Sequence, residues 1–349
     1  MGVADSDVLD ETYDRLHDTG PEFEGWLSNH GPMAADALIR LGRPGMVESW
    51  VGEYAKRLET APATRWPISA QEWREPLGDP SRLGDWCALF AEQVHAEPWQ
   101  DLLVRWWPRL LPGAIASATH GLIRTGHAVR ALREHESTQR LDELAQALGY
   151  WAARWQPLPG QQPPAGVADV AAALDAVPAV GMAGGVRTRL AQLAQTADWA
   201  PALGRLRPVT SPAAVRSALD ELVDTAVTRY HGWAHGSPVM LVHAATAPRA
   251  AALVLPALPT QMWLATYATA WAVSAAISAV YRPSTPGPPP SPAETAATSP
   301  EEVIDLAVAN GGDEHAIKFV EVAQESHRRG NRHALAAGAR AAALIVDDE

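Results

Sequence analysis

Apolar residues recur at helical spacing through most of this 349-residue chain, and helix-starting and helix-ending residues separate the repeats. Ser211-Pro212 places a capping residue and a first-turn proline before one such segment, and Ser299-Pro300 does so before another. Asp313 caps a further helix that ends near Gly330. Alternating runs of β-branched residues are nearly absent, so the sequence predicts an all-α fold.

The helical pattern continues along the whole chain. The length allows one large domain or two, and we predict a single helical domain over residues 1–349. Proline-rich loops are predicted at 156–166 and 282–300. Beyond the segments named above, helices are predicted at 32–41, 45–58, 85–95, 98–107, 113–135, 139–155, 168–176, 186–196, 239–254, 260–281 and 334–345.

Composition narrows the class of partner. A net charge of −12 argues against nucleic acid and against anionic membrane surfaces, because both are bound by clustered Lys and Arg. The single cysteine, Cys87, excludes an internal disulfide and fits a reducing compartment. The acidic N-terminus lacks the apolar stretch of a secretory signal, so we expect a cytoplasmic protein.

One apolar segment, 260–281, is uncharged and long enough to span a bilayer. It is rich in Ala, Thr and Ser and follows two prolines. These features favour a buried core helix over a membrane element, and we predict no membrane partner.

Twelve histidines are present, and five of them lie in segments that favour a chemical role. His120, Arg124 and His127 share one face of a predicted helix, and His315 shares a face with Lys318. A histidine among apolar neighbours needs partners for its ring nitrogens, so the alternative for each is a hydrogen-bonded core or cap histidine. The five are His30, His120, His127, His243 and His315.

Other spacings carry less weight. His231 and His235 in HGWAH have a spacing that binds zinc, but the neighbouring glycines indicate a helix end. His95 and Glu97 resemble part of a facial triad at a helix end. Cys87 has the surroundings of an inert core thiol, and no P-loop, dinucleotide fingerprint or G-x-S-x-G motif occurs.

Fourteen tryptophans are many for this length. Most must belong to the core. An enzyme acting on a flat polycyclic aromatic molecule would also use such side chains, for stacking and for excluding water.

The five histidines lie in four short stretches, which are NHGPMAADAL, ATHGLIRTGHAVRAL, LVHAATAPRAA and DEHAIK. These stretches occur in the same order in the questin oxidase family, which this chain therefore resembles. Its members are tailoring enzymes associated with oxidative ring opening of anthraquinone-type polyketides. The resemblance implies a helical fold and a mononuclear non-haem iron held by four histidines and a carboxylated lysine.

Transferred motif by motif, the implied iron ligands are His30, His120, His243, His315 and Lys318. The middle motif departs from the family, because Arg124 and His127 stand where fungal members commonly have a histidine and a tyrosine. His127 therefore stays open as an alternative to His120. Arg124 and His127 are otherwise catalytic-site candidates that would either hold an iron ligand in place or contact the substrate, and Tyr230 or Tyr267 could contact the substrate.

The lysine has a chemical rationale within this implied site. A neutral lysine amine adds CO2 to give a carbamate, which turns a positive group into an anionic oxygen ligand, and burial helps by disfavouring the ammonium form. Arginine cannot do this because its guanidinium stays protonated. The alternative is a surface lysine on an amphipathic helix.

The sequence thus predicts an iron-dependent oxygenase that uses O2 on a polycyclic aromatic polyketide. One alternative is a Baeyer–Villiger-type monooxygenase that requires NADPH, which a separate reductase could use. Another is a helical binding protein without catalytic activity.

Overall fold

A computed structural model describes residues 2–69, 71–181, 184–292 and 299–346. Helices form most of these ranges, and the one sheet within them is a two-stranded antiparallel hairpin. The all-α prediction is confirmed. The chain divides into two compact units, Met1–Pro157 with Leu253–Pro259 (unit 1) and Leu158–Ala252 with Thr260–Glu349 (unit 2). One domain over 1–349 stays a prediction.

Unit 1 is built from seven α-helices and the hairpin within its described residues. Its strands are β1 (Glu22–Phe23) and β2 (Leu27–Ser28). The helices are α1 (Val3–His17), α2 (Gly31–Arg40), α3 (Val47–Tyr54), α4 (Leu83–Ala96), α5 (Trp99–Leu110), α6 (His120–Glu134) and α7 (Thr138–Arg154).

Helix α7 lies at the centre of unit 1, where it packs against α4, α6 and α1. Trp86, Trp106, Trp107 and Trp151 are fully buried in this core. Trp107 and Trp151 meet edge to face with ring centroids 5.5 Å apart, a favourable aromatic geometry. These four tryptophans therefore serve the core.

The remaining helices of the described residues lie in unit 2, except that the last two residues of the helix His243–Val254 belong to unit 1. They are α8 (Val170–Asp175), α9 (Val186–Gln192), α10 (Trp199–Gly204), α11 (Pro212–Trp233), α12 (Pro238–Leu241), α13 (His243–Val254), α14 (Trp263–Tyr281), α15 (Pro300–Val308), α16 (Glu314–Arg328) and α17 (Ala334–Leu344). Helix α16 packs against α17, α11 and α15, and α14 packs against α11.

Two helical stretches are long and apolar enough to cross a membrane, Pro238–Ala257 and Thr260–Tyr281. Their most apolar windows are 78% and 72% buried. Such burial is typical of core helices, as was predicted for 260–281.

Several local predictions need correction. Residues 113–119 were predicted as helix but form tight turns, and α6 begins only at His120. The helix predicted at 239–254 breaks at Val242, so that α13 begins at His243. The hairpin, α1 and α10 were not predicted. Residues 156–166 form no helix, as expected; of the second loop, 293–298 lie outside the described residues.

Candidate metal centre

His30 lies between the hairpin and α2, and it is 5% exposed. Its backbone N–H donates to Tyr54 Oη at 2.6 Å. The neighbouring Asn29 side chain donates to Gly20 O at 3.0 Å and accepts from Gly31 N at 3.0 Å. Gly31 is closely surrounded, since a Cβ there would lie 2.8 Å from Leu16 Cδ1 and 3.1 Å from Asn29 Oδ1. This network fixes the backbone that carries the His30 ring.

His120 is the first residue of α6, and its ring meets that of His30. The two Nε2 atoms are 2.8 Å apart, and the ring centroids are 4.5 Å apart. His120 Nδ1 lies 2.5 Å from Ser117 O. A carbonyl oxygen can only accept, so Nδ1 carries the proton and the Nε2 lone pair points toward His30. This is the tautomer in which imidazole binds a metal through Nε2.

His127 lies two turns further along α6 and takes part in a buried ion network. Its Nδ1 lies 2.8 Å from Asp36 Oδ2, and Arg130 Nε donates to the same oxygen at 3.0 Å. Burial by itself would raise the pKa of Asp36, but Arg130 and His127 outweigh it and hold that pKa far below its usual value. The geometry thus favours His120 over His127 as the partner of His30.

Arg124 is 1% exposed and forms a two-point ion pair with Glu143, with Nε and one terminal nitrogen each 2.6 Å from a carboxylate oxygen. Gln146 accepts a third bond at 3.0 Å. These contacts tie α6 to α7. A substrate-contact role for Arg124 or His127 stays a prediction.

In unit 2, His243 begins α13 and is 1% exposed. Its Nδ1 lies 3.0 Å from Met240 O, so this ring too carries its proton on Nδ1. Burial, with the nearby charges of His315 and Lys318, lowers the pKa of His243 well below the ordinary value. His243 is therefore a neutral imidazole at physiological pH.

His315 lies in the first turn of α16, beside His243, with ring centroids 5.6 Å apart. Asp313 caps this helix by accepting from His315 N at 2.6 Å, and the same oxygen lies 3.1 Å from His315 Nδ1. The cap thus also orients the ring. Donor atoms of Asp313, Glu314 and His315 all lie within 4.8 Å of one another, a group able to hold a metal ion.

Lys318, one turn after His315, is 2% exposed. Its Nζ has no hydrogen-bond partner within the described ranges. Burial lowers the pKa of Lys318 to about 8, although Glu314 and Asp313 favour the charged form. The alternative of a surface lysine is wrong.

The remaining candidates have ordinary surroundings. Tyr230 donates to Pro238 O at 3.1 Å, and Tyr267 is 3% exposed. His95 pairs with Asp142 on the surface, with Nε2 and Oδ1 2.7 Å apart, while Glu97 pairs with Arg105. Cys87 is half-buried rather than part of the core, and desolvation raises the pKa of its thiol to about 12, which makes it unreactive. His235 lies in the turn that follows α11.

Sequence reasoning missed the groups that orient the histidines. Ser117 and Met240 act through backbone carbonyls, which carry no residue-type signal. Asp313 was identified as a helix cap, and only its second contact, to the His315 ring, was missed.

A scan against protein-family models finds no match for this chain, and a search of curated proteins finds none either. The resemblance to questin oxidases therefore stays a prediction from the four sequence motifs.

Proposed function

We propose that this protein is a mononuclear non-haem iron oxygenase that opens or modifies a ring of an anthraquinone-like polycyclic aromatic polyketide. Its proposed iron ligands are His30, His120, His243, His315 and Lys318 carboxylated by CO2. The observation that carries the proposal is the buried amine of Lys318, which lacks a partner in the described chain and lies near His243 and His315.

Three of the proposed histidine ligands carry their proton on Nδ1, which is the tautomer that binds a metal through Nε2. In His120, His243 and His315 an oxygen acceptor lies beside Nδ1, which leaves Nε2 as the ligand atom. The close approach of His30 Nε2 to His120 Nε2 needs a shared proton when no cation lies between the lone pairs. A bound metal ion would take the place of that proton, and His120 would keep the same tautomer.

Lysine chemistry supplies the anionic ligand. Because the pKa of Lys318 is lowered to about 8, a far larger share of its amine is neutral near pH 7.5 than in an ordinary lysine. The nitrogen lone pair attacks the carbon of CO2, one C–O π pair moves onto oxygen, and the ammonium proton leaves to solvent. The product is a carbamate with two ligand oxygens in place of a buried cation.

Bound Fe(II) would supply the electrons that O2 needs in order to react with an electron-rich ring. The protein's own contribution is to hold five ligand groups in fixed orientations and to keep them away from water. Four neutral imidazoles and one carbamate leave a single net positive charge on Fe(II), which lowers the cost of burying the ion.

Carbon-13 NMR of protein equilibrated with labelled bicarbonate tests the carbamate. The chain has one other lysine, Lys56, which is 69% exposed and pairs with Glu53. We expect one carbamate signal that persists in Lys56→Arg and disappears in Lys318→Arg. A signal that survives Lys318→Arg, or no signal in the wild type loaded with diamagnetic zinc, rejects the carboxylated lysine.

The alternative that requires NADPH makes a different forecast for turnover. We expect iron, O2 and an anthraquinone-type substrate to give ring-oxidised product without NADPH. Product formation that starts only when NADPH and a reductase are added would favour the Baeyer–Villiger-type alternative.

A further inference from the structure

Three consecutive residues before His120 adopt left-handed backbone conformations, although none of them is glycine. Ser117, Ala118 and Thr119 have φ values of 45°, 52° and 75°. Such conformations are costly for residues with a Cβ, and most of all for a β-branched residue such as Thr119. Thr119 is also fully buried, and its hydroxyl has no hydrogen-bond partner in the described part of the chain.

The surrounding structure holds this turn in place from both sides. Before it, Gly113 lies against the Trp155 indole, where a Cβ would come within 2.3 Å of the ring, and Gly113 O accepts from Trp151 Nε1 at 3.1 Å. After it, Gly121 lies against Trp151, where a Cβ would come within 2.6 Å of the side chain. Both flanks of the turn are therefore fixed by α7. Strained backbone persists where its surroundings determine it in this way.

The turn places Ser117 O at 2.5 Å from His120 Nδ1. In a regular helix this carbonyl would point along the axis, toward the backbone N–H groups of the next turn. The left-handed residues direct it at the ring instead. The ring then carries its proton on Nδ1 and presents Nε2 to His30.

We propose that Ser117–Thr119 is a strained positioning element that sets the tautomer and orientation of His120 as a ligand. The inference deepens the proposed metal site, and its first readout does not require metal. The strained backbone of Ser117–Thr119 lowers the stability of the fold. It also holds the His120 ring in the Nδ1–H tautomer, which is the one that binds a metal through Nε2.

Two alanine-to-glycine substitutions distinguish the effect of relieved backbone strain from the effect of lost side-chain packing. Ala118→Gly removes a methyl group at 4% exposure from a left-handed residue, whereas Ala116→Gly removes one at 3% exposure outside the left-handed stretch. Glycine adopts positive φ freely, so only Ala118→Gly releases strain. We expect the metal-free Ala118→Gly protein to melt roughly 2–4 °C above Ala116→Gly.

The second readout follows the ring itself. Nitrogen-15 spectra of metal-free protein should show His120 as the Nδ1–H tautomer in the wild type and in Ala116→Gly, and a mixture of tautomers in Ala118→Gly. Zinc titration should then give a dissociation constant about 10-fold or more weaker for Ala118→Gly than for Ala116→Gly.

An Nε2–H tautomer in the wild type, or equal melting temperatures and equal tautomers in the two variants, would overturn the positioning role. Correct tautomers with no zinc binding by the wild type would instead count against the metal site and leave the positioning role supported.

Discussion

Lys318 shows how burial changes the chemistry of one residue. From the sequence, the alternative for Lys318 is a surface lysine on an amphipathic helix. In the structure it is 2% exposed, and its amine lacks a hydrogen-bond partner among the described residues. A buried ammonium without a hydrogen-bond partner is costly, and the lowered pKa of Lys318 expresses that cost. The proposed carboxylation and metal binding would remove it.

A truncated side chain tests this interpretation at the residue scale. We expect Lys318→Ala to lose metal affinity by 10-fold or more, since it deletes the proposed anionic ligand. Formate, acetate or bicarbonate should restore part of that affinity by filling the space of the carbamate, as measured by titration with Fe(II) under anaerobic conditions. The same anions should not rescue Lys318→Arg. Equal affinities with and without added anion would contradict a ligand role.

Residue types predicted the candidate ligands, but not the groups that orient them. Histidine and lysine stand out in short motifs, whereas Ser117 O and Met240 O are backbone atoms whose direction depends on the fold. Non-glycine residues at positive φ carry no sequence signal, so the turn before His120 was predicted as helix. Asp36 lies 91 positions from His127, and nothing local to either residue indicates their contact.

At the scale of elements, the four histidines of the proposed site all lie at helix starts, and His30 is the N-cap residue of α2. His120 and His243 are the first residues of α6 and α13, and His315 is the second residue of α16. At this position a side chain lies beside the preceding turn, where a carbonyl or a capping carboxylate can accept from Nδ1. The Asp313 cap was predictable from its residue type and position, but the break at Val242 was not, because VMLVHAATA has a continuous helical pattern.

The buried network between α2 and α6 should dominate the stability of unit 1. We expect Asp36→Asn to lower the free energy of unfolding by about 3–5 kcal/mol, because it leaves the Arg130 charge buried without its carboxylate. Chemical denaturation at pH 7 measures this. Glu53→Gln is the control: it breaks an exposed pair and should cost at most about 0.5 kcal/mol. Similar losses in both variants would contradict the assigned role.

The same network predicts a direction for acid sensitivity. The pKa of Asp36 is depressed in the folded protein, so its contribution is present above the ordinary carboxyl pKa of about 4 and is lost as pH falls toward the folded value. We therefore expect the stability difference between wild type and Asp36→Asn to shrink as pH is lowered below about 4. A difference that grows in acid would contradict this assignment.

For the whole molecule, composition and helical periodicity were sufficient to predict the all-α class and most helix positions. They did not predict the division into two compact units, because helical patterns of similar strength run along the entire chain. Helix α1 also escaped prediction, although its buried residues Leu9, Tyr13 and Leu16 share one face.

The burial of the two apolar stretches predicts how the whole protein partitions between detergent and water. Because their most apolar windows are 78% and 72% buried, we expect the purified chain to remain in the aqueous phase when a non-ionic detergent is separated from water. Partition followed by immunoblotting measures this, with a single-span membrane protein as the control. Recovery in the detergent phase would favour the membrane alternative.

The most direct test of the central claim is the iron content of protein reconstituted anaerobically with Fe(II), measured by elemental analysis for wild type, Lys56→Arg and Lys318→Arg. We predict about one iron per chain in the wild type and in Lys56→Arg, and almost none in a folded Lys318→Arg, because arginine keeps the charge but cannot accept CO2. Equal iron in all three proteins would contradict a carboxylated Lys318 as ligand, and iron in none of them would contradict the metal site altogether.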